Sequence, residues 1–207
     1  MTQATLEAKP GKKDLPKVLC VRARLKSIAP YGQGKKLQSE YTADAGTHDD
    51  FEKAHWRERM HVDDHGVAFI PPSAFKGCLM DVCKFLAEKI PGRGNNQYGK
   101  HFTAGVMIAE GISLGVTAAD AKGTTVNVPA NGKRGNASRV DRTFPTFAAW
   151  EGELTIYLTD PILIANPEKV REYLEYAGRL VGIGTYRPYP GGGYWGRFEV
   201  LDFAVIP

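Results

Sequence analysis

Cysteine is scarce in this chain: three residues in 207, at Cys20, Cys78 and Cys83. The number is odd, the spacing fits no metal pattern, and Cys78 and Cys83 fall in a helical stretch, so a disulfide framework and a cysteine-built metal centre are both excluded. We expect reduced, mostly buried thiols and a cytoplasmic protein. Long apolar runs are missing too. No stretch reaches the ~20 residues that a membrane span needs. No apolar run follows Met1, so neither a membrane partner nor a signal peptide is expected. Net charge is small, +4 from 27 basic and 23 acidic residues. Hydrophobic residues make up 43%, which supplies a core and excludes global disorder. The length suits one domain with elaborations.

What charge there is lies unevenly. Between Glu40 and His65 there are eight acids and three bases, net −5, which leaves +9 for the rest of the chain. A basic body with one acidic segment suits an anionic partner, plus a region that avoids that partner or meets a basic neighbour. Residues 1–16, with Lys9, Lys12 and Lys13, read as a flexible basic tail, and 17–207 as a single domain.

Lys17 to Ile28 alternates with period two, which predicts a half-buried strand whose polar face carries Arg22, Arg24 and Lys26. Phe51 to Met60 reads as a short helix inside an acidic insertion, residues 29–66. Val67 to Ile70 is a short strand ended by Pro71-Pro72. Ser73 is a plausible N-cap for a helix whose apolar positions run from Leu79 to Ile90, stopped by Pro91-Gly92. Val106 to Val116 reads as one sheet segment broken at Gly111, and Thr124 to Val128 as another strand. Pro129 to Phe147 is a polar excursion bearing Lys133, Arg134, Arg139 and Arg142, with turn dipeptides that suit a projecting hairpin. Glu153 to Thr159 returns to a strand. Asn166-Pro167-Glu168 predicts a helix start with Asn166 as cap, and Gly182 closes that helix.

The densest run of unusual residues follows. Gly182 to Val200 holds six glycines, two prolines, Arg187 and Arg197, with Tyr186, Tyr189, Tyr194 and Trp195. Glycine allows the backbone to lie against a ligand. Arginine pairs with phosphate, and tyrosine or tryptophan stacks on a base. The run is no nucleotide-phosphate loop, because it lacks the terminal Gly-Lys-Ser/Thr and the helix precedes it. A last strand is expected from Arg197 to Val205.

Without its insertions the order is strand, helix, strand, strand, helix, strand. That is an α+β, ferredoxin-like (RRM-like) βαββαβ core carrying a basic thumb hairpin, 129–147, and an acidic insertion. Two helices cover one sheet face, and the basic face of the first strand lies on the open side, where RNA-recognition folds present their ligand surface.

Two segments carry a family resemblance. Phe69-Ile70-Pro71-Pro72-Ser73-Ala74-Phe75-Lys76-Gly77-Cys78-Leu79 resembles the strand–Pro–helix opening with Lys-Gly of the RAMP superfamily. Gly182 to Phe198 resembles its glycine-rich loop before the last strand. That group includes backbone and processing subunits of CRISPR effector complexes, and a phage or mobile-element homologue would carry the same features. The resemblance implies nucleic-acid binding, a thumb that grips the strand, and assembly into a multisubunit complex.

These readings combine into one expectation: a non-catalytic protein that binds single-stranded nucleic acid, RNA over DNA, through its backbone, and self-associates head to tail or joins a CRISPR-type complex. The expected track comprises Arg22, Arg24, Lys26, Lys76, Arg93, Lys100, Lys133, Arg134, Arg139, Arg142, Arg187, Tyr189, Tyr194 and Arg197. Lys76 sits where a cation opposes the helix dipole, which suggests a nearby anion. Two alternatives stand beside it. One is a RAMP-type endoribonuclease using His48 or His101, for which no partner group stands at a defining distance. The other is a decoy that mimics a backbone subunit. No cofactor is expected. His61 and His65 have metal-like spacing, but Gly66 and the adjacent acids place them in a loop, so no metal is expected either.

Overall fold

Alternation along the first strand is realised from Val21 to Lys26. In β1 (Leu19–Ser27), Val21, Ala23 and Leu25 are fully buried while Arg22, Arg24 and Lys26 are exposed. The structure is a computed structural model that describes residues 17–42, 44, 46–129 and 138–206. The basic tail, Lys133 and Arg134, and the side chain of His48 lie outside the described residues. The molecule is a mixed α+β fold with antiparallel sheets.

After β1 come β2 (Tyr31–Gly32), α1 (His48–His55) with a 3-10 turn at Trp56–Arg59, β3 (Val67–Ile70) and α2 (Pro72–Leu86). Next are α3 (Gly99–Gly105), β4 (Val106–Ile108), β5 (Ile112–Thr117), β6 (Lys122–Pro129), β7 (Arg139–Phe147) and β8 (Glu151–Leu158). The chain ends with α4 (Pro161–Ala165), α5 (Glu168–Tyr176), a π-helical turn at Ala177–Val181 and β9 (Phe198–Ile206). The main sheet has the order β4-β8-β1-β9, and each neighbouring pair is antiparallel. A second sheet, β2-β7-β6, holds the hairpin, and β3 pairs with β5 in a third.

The core lies between the main sheet and the helices. On α2, Phe75, Cys78, Leu79, Val82 and Cys83 are buried at the i, i+3, i+4 spacing of one helix face. Phe75, Leu79 and Val82 each contribute roughly 1.5–3 kcal/mol. Burial pushes the Cys78 and Cys83 thiols up to about 12, which leaves them inert.

The structure differs from the sequence expectation at five places. Helix α2 opens on Pro72 at its first position, with Pro71 rather than Ser73 as its N-terminal flank. It stops at Leu86, because Ala87 adopts φ 46°, and Ile90 packs from the following turn. The segment from Val106 divides between two sheets, with β4 on β8 and β5 on β3. At the turn between them, a Cβ on Gly111 would lie 2.2 Å from the Ile70 carbonyl oxygen, so only glycine fits. Asn166 ends the short α4, whose own cap is Asp160, and Pro167 flanks α5 instead. Finally, half of the polar excursion is strand: in β7, Thr143, Phe144 and Phe147 are buried. The hairpin is therefore a rigid β6–β7 ladder from Lys122↔Thr146 to Pro129↔Arg139.

The acidic segment is folded into this frame. Thr47 and Asp50 form a capping box at the start of α1. Glu52 forks onto Arg59 at 2.6 and 2.8 Å, both nearly buried, and Arg59 lies over the Phe144 ring of β7. Asp63 accepts from the backbone N–H groups of His65 and Val67.

Candidate nucleic-acid interface

The glycine-rich run forms a wall between the main sheet and the hairpin sheet. Its backbone is pinned at both ends. Gly196 N–H donates to Pro30 O at 2.7 Å, Thr185 N–H to Gly32 O at 2.9 Å, and Ile183 N–H to Gly196 O at 2.9 Å. Gly184 has φ 76°, and a Cβ there would lie 2.2 Å from Gly32 O. Part of the glycine content thus serves close packing of the loop on β2.

Two cavities flank this wall and share Gly184, Thr185 and Arg187. The first, about 310 Å³, lies between β2, the start of α2 and the loop, and takes in Gln33, His61 and Ser73. The second, about 450 Å³, lies between the loop and the hairpin, and takes in Arg139, Arg142, Phe144 and Tyr186. Together they make a groove from the opening turn of α2 across the loop to the far half of the hairpin, Asn127 to Pro129 and Arg139 to Phe144. Among the described residues no carboxylate lines either cavity. The Thr185 hydroxyl is buried and has no hydrogen-bond partner among the described residues. Burial, and then Lys35, lowers the His61 pKa, so its imidazole is neutral at neutral pH.

The residues expected from the sequence divide among distinct places. Arg139, Arg142 and Arg187 come together in the groove. Arg187 is held by Asp81 at 2.8 Å and also donates to Gly182 O at 3.3 Å. Arg139 donates to the side-chain oxygen of Asn127 at 2.6 Å. Tyr194 is 71% exposed beside the groove, whereas Tyr189 packs edge-on against Phe85 with centroids 5.7 Å apart. Arg197 is half-buried and lines neither cavity, as do the exposed Arg93 and Lys100.

Two groups differ from the sequence expectation. The open sheet face is charge-balanced, not basic: Arg24 donates to Glu151 at 2.9 Å, Arg22 pairs with Glu153 at 3.7 Å, and Lys26 is opposite Glu151 and Glu199. Neighbouring strands put acids on the same face, which β1 alone could not reveal. Lys76 is half-buried, and its ammonium donates to the carbonyls of Phe102 at 2.6 Å, Thr103 at 3.0 Å and Val106 at 2.6 Å. It thus satisfies the C-terminal end of α3, where a cation is favourable. Burial lowers its pKa.

His101 pairs with Asp160 at 2.8 Å and lines neither cavity. Burial opposes the Asp160 charge, but His101 and the N–H groups of Ile162 and Leu163 hold its pKa below the usual carboxylate value. Among the described residues no cluster of three or more His, Cys, Asp or Glu could hold a metal. No helix among them is long and apolar enough to cross a membrane. Gln33, His61, Thr185 and Tyr186 were not singled out for the groove by the sequence. The signal available was the apposition of Tyr31-Gly32 to the glycine run, which is long-range and invisible in one dimension.

No protein-family model matches the sequence, and no curated protein matches it. Among solved structures, the chain is similar to one chain of type III-B Cmr-beta bound to cognate target RNA, with TM-score 0.51 and 12% identity. The likeness covers 92% of this chain and 61% of that one. The chain shares the fold of that Cmr-beta chain. A second similar structure is Cmr6 from Pyrococcus furiosus, with TM-score 0.45 and 13% identity, over 89% of this chain and 98% of that one. In this fold the groove lies where the glycine-rich loop meets the hairpin. The chain spans about three-fifths of the Cmr-beta chain it resembles.

Proposed function

We propose that this protein binds single-stranded nucleic acid, RNA over DNA, without cleaving it, as a subunit of a CRISPR-type ribonucleoprotein complex. The observation that carries this reading is the groove itself: Arg139, Arg142 and Arg187 converge there and no carboxylate lines it among the described residues. Three guanidiniums in a channel flanked by glycine backbone suit a run of phosphates, and they read little sequence. The Thr185 hydroxyl adds an unoccupied hydrogen-bonding group beside them. The fold likeness to a protein bound to target RNA supports RNA over DNA. The strand order β4-β8-β1-β9, with α2 and α5 in the crossovers, supports reading the main sheet as the ferredoxin-like core. The hairpin β6–β7 is then the thumb. Head-to-tail assembly belongs to the same reading, with the acidic segment of one copy facing the basic body of the next.

Labelled single-stranded RNA, single-stranded DNA and duplex, titrated at several salt concentrations alongside a sizing measurement, test this. RNA should bind most tightly. Arg187→Ala should weaken binding per folded molecule by roughly tenfold, the effect of one charge-assisted contact. Absence of binding to all three at low salt overturns the reading. If Arg187→Ala lowers only stability, Arg187 serves the Asp81 contact alone.

A further inference from the structure

The aromatic residues of the glycine-rich run are not equivalent. Tyr189 is packed on Phe85. Trp195 is half-buried, with its ring edge-on to Tyr186 at 5.2 Å. Tyr186 and Tyr194 differ: they are 38% and 71% exposed, with ring centroids 6.2 Å apart. The backbone beneath them is held in an uncommon conformation. Tyr186 has φ 52°, in the left-handed region that a bulky residue rarely occupies. Its carbonyl accepts from Trp195 N–H at 3.0 Å, and a Cβ on Gly193 would stand 1.9 Å from that carbonyl oxygen. Strain of this kind persists only where the surroundings impose it. Here the result is an aromatic pair held up at the rim of the larger cavity, which Tyr186 lines together with Arg139 and Arg142.

We propose that the Tyr186–Tyr194 pair is a stacking site for one unpaired base of a strand whose phosphates follow the groove. This rests on the reading above and adds to it a base contact. The adjoining cations make the rim complementary to an anionic chain, and an exposed ring is sequence-tolerant because every base has a π-face. A base held there must be out of a duplex, so the pair selects single strands. Tyr194 is the ring to test, since its exposure keeps its removal from disturbing the core.

Labelled single-stranded RNA of uniform sequence and an abasic oligomer of the same length serve as probes, with thermal melting as the folding control. Tyr194→Ala should weaken binding of the base-bearing strand by about fivefold or more. It should leave the abasic oligomer and the melting temperature unchanged. Tyr194→Phe should retain binding, and Tyr194→Leu should behave like Tyr194→Ala. Equal loss for both probes, or full retention with Tyr194→Leu, overturns stacking. So does no loss with Tyr194→Ala while RNA still binds, an outcome that leaves the groove reading standing. If wild-type protein binds neither probe at low salt, both fail together.

Discussion

Lys76 shows how one residue's role depends on what lies out of sight of its sequence neighbours. Counted from a cap at Ser73, Lys76 falls in the first turn and looks like an anion ligand, since it opposes the helix dipole; counted from Pro72, it falls in the second turn. In the structure it instead bonds three carbonyls around the end of α3, 26 to 30 residues away. Lys76→Met should therefore cost about 2 kcal/mol, the scale of a charge-assisted bond lost from part-buried acceptors. For a domain of this size that lowers the melting temperature by about 4–8 °C. RNA affinity per folded molecule should stay the same. Weaker affinity at an unchanged melting temperature would instead place an anion at Lys76. The glycines divide similarly. Gly184 is required by φ 76° and by its approach to β2, whereas a Cβ on Gly191 meets nothing closer than 3.4 Å.

At the scale of elements, the acidic segment proves to be a brace for the hairpin. Arg59 and Glu52 form a nearly buried pair between α1 and its 3-10 turn, and Arg59 sits over Phe144 of β7. Glu52→Gln leaves the guanidinium buried without a counter-charge, at a cost of about 3–5 kcal/mol. Denaturant unfolding should register that loss, and amide exchange should show β7 losing protection. An unmoved midpoint would mean that the pair contributes nothing to docking α1 on the hairpin. The hairpin itself was legible as turn dipeptides between charged residues. Its second strand was not, because the buried run Thr143-Phe144-Pro145 breaks period-two alternation and includes a hydroxyl and a proline.

For the whole molecule, the groove and the net charge of the basic body make one quantitative demand. Arg187 already pairs with Asp81, so the groove's guanidiniums neutralise about two to three phosphates, and log affinity for single-stranded RNA should fall against log salt with slope between about −1.4 and −2. A slope near zero would overturn a backbone-directed interface. The open sheet face should contribute little to that slope, since Arg22 and Arg24 are already paired with Glu153 and Glu151.

Local pattern in the sequence was enough to determine the strand at Leu19–Ser27, the stop of β3 at Pro71-Pro72, the close of the π-helical turn at Gly182 and the last strand. Each of these depends on period, proline or glycine within a few residues. Tertiary structure alone decided which cations meet. Strand pairing set Glu151 and Glu153 against the basic face of β1, α3 took Lys76, and the docking of residues 183–196 on β2 brought Arg187 beside Arg139 and Arg142. Those outcomes follow from long-range contacts between segments, and charge and hydrogen bonding act through space rather than along the chain.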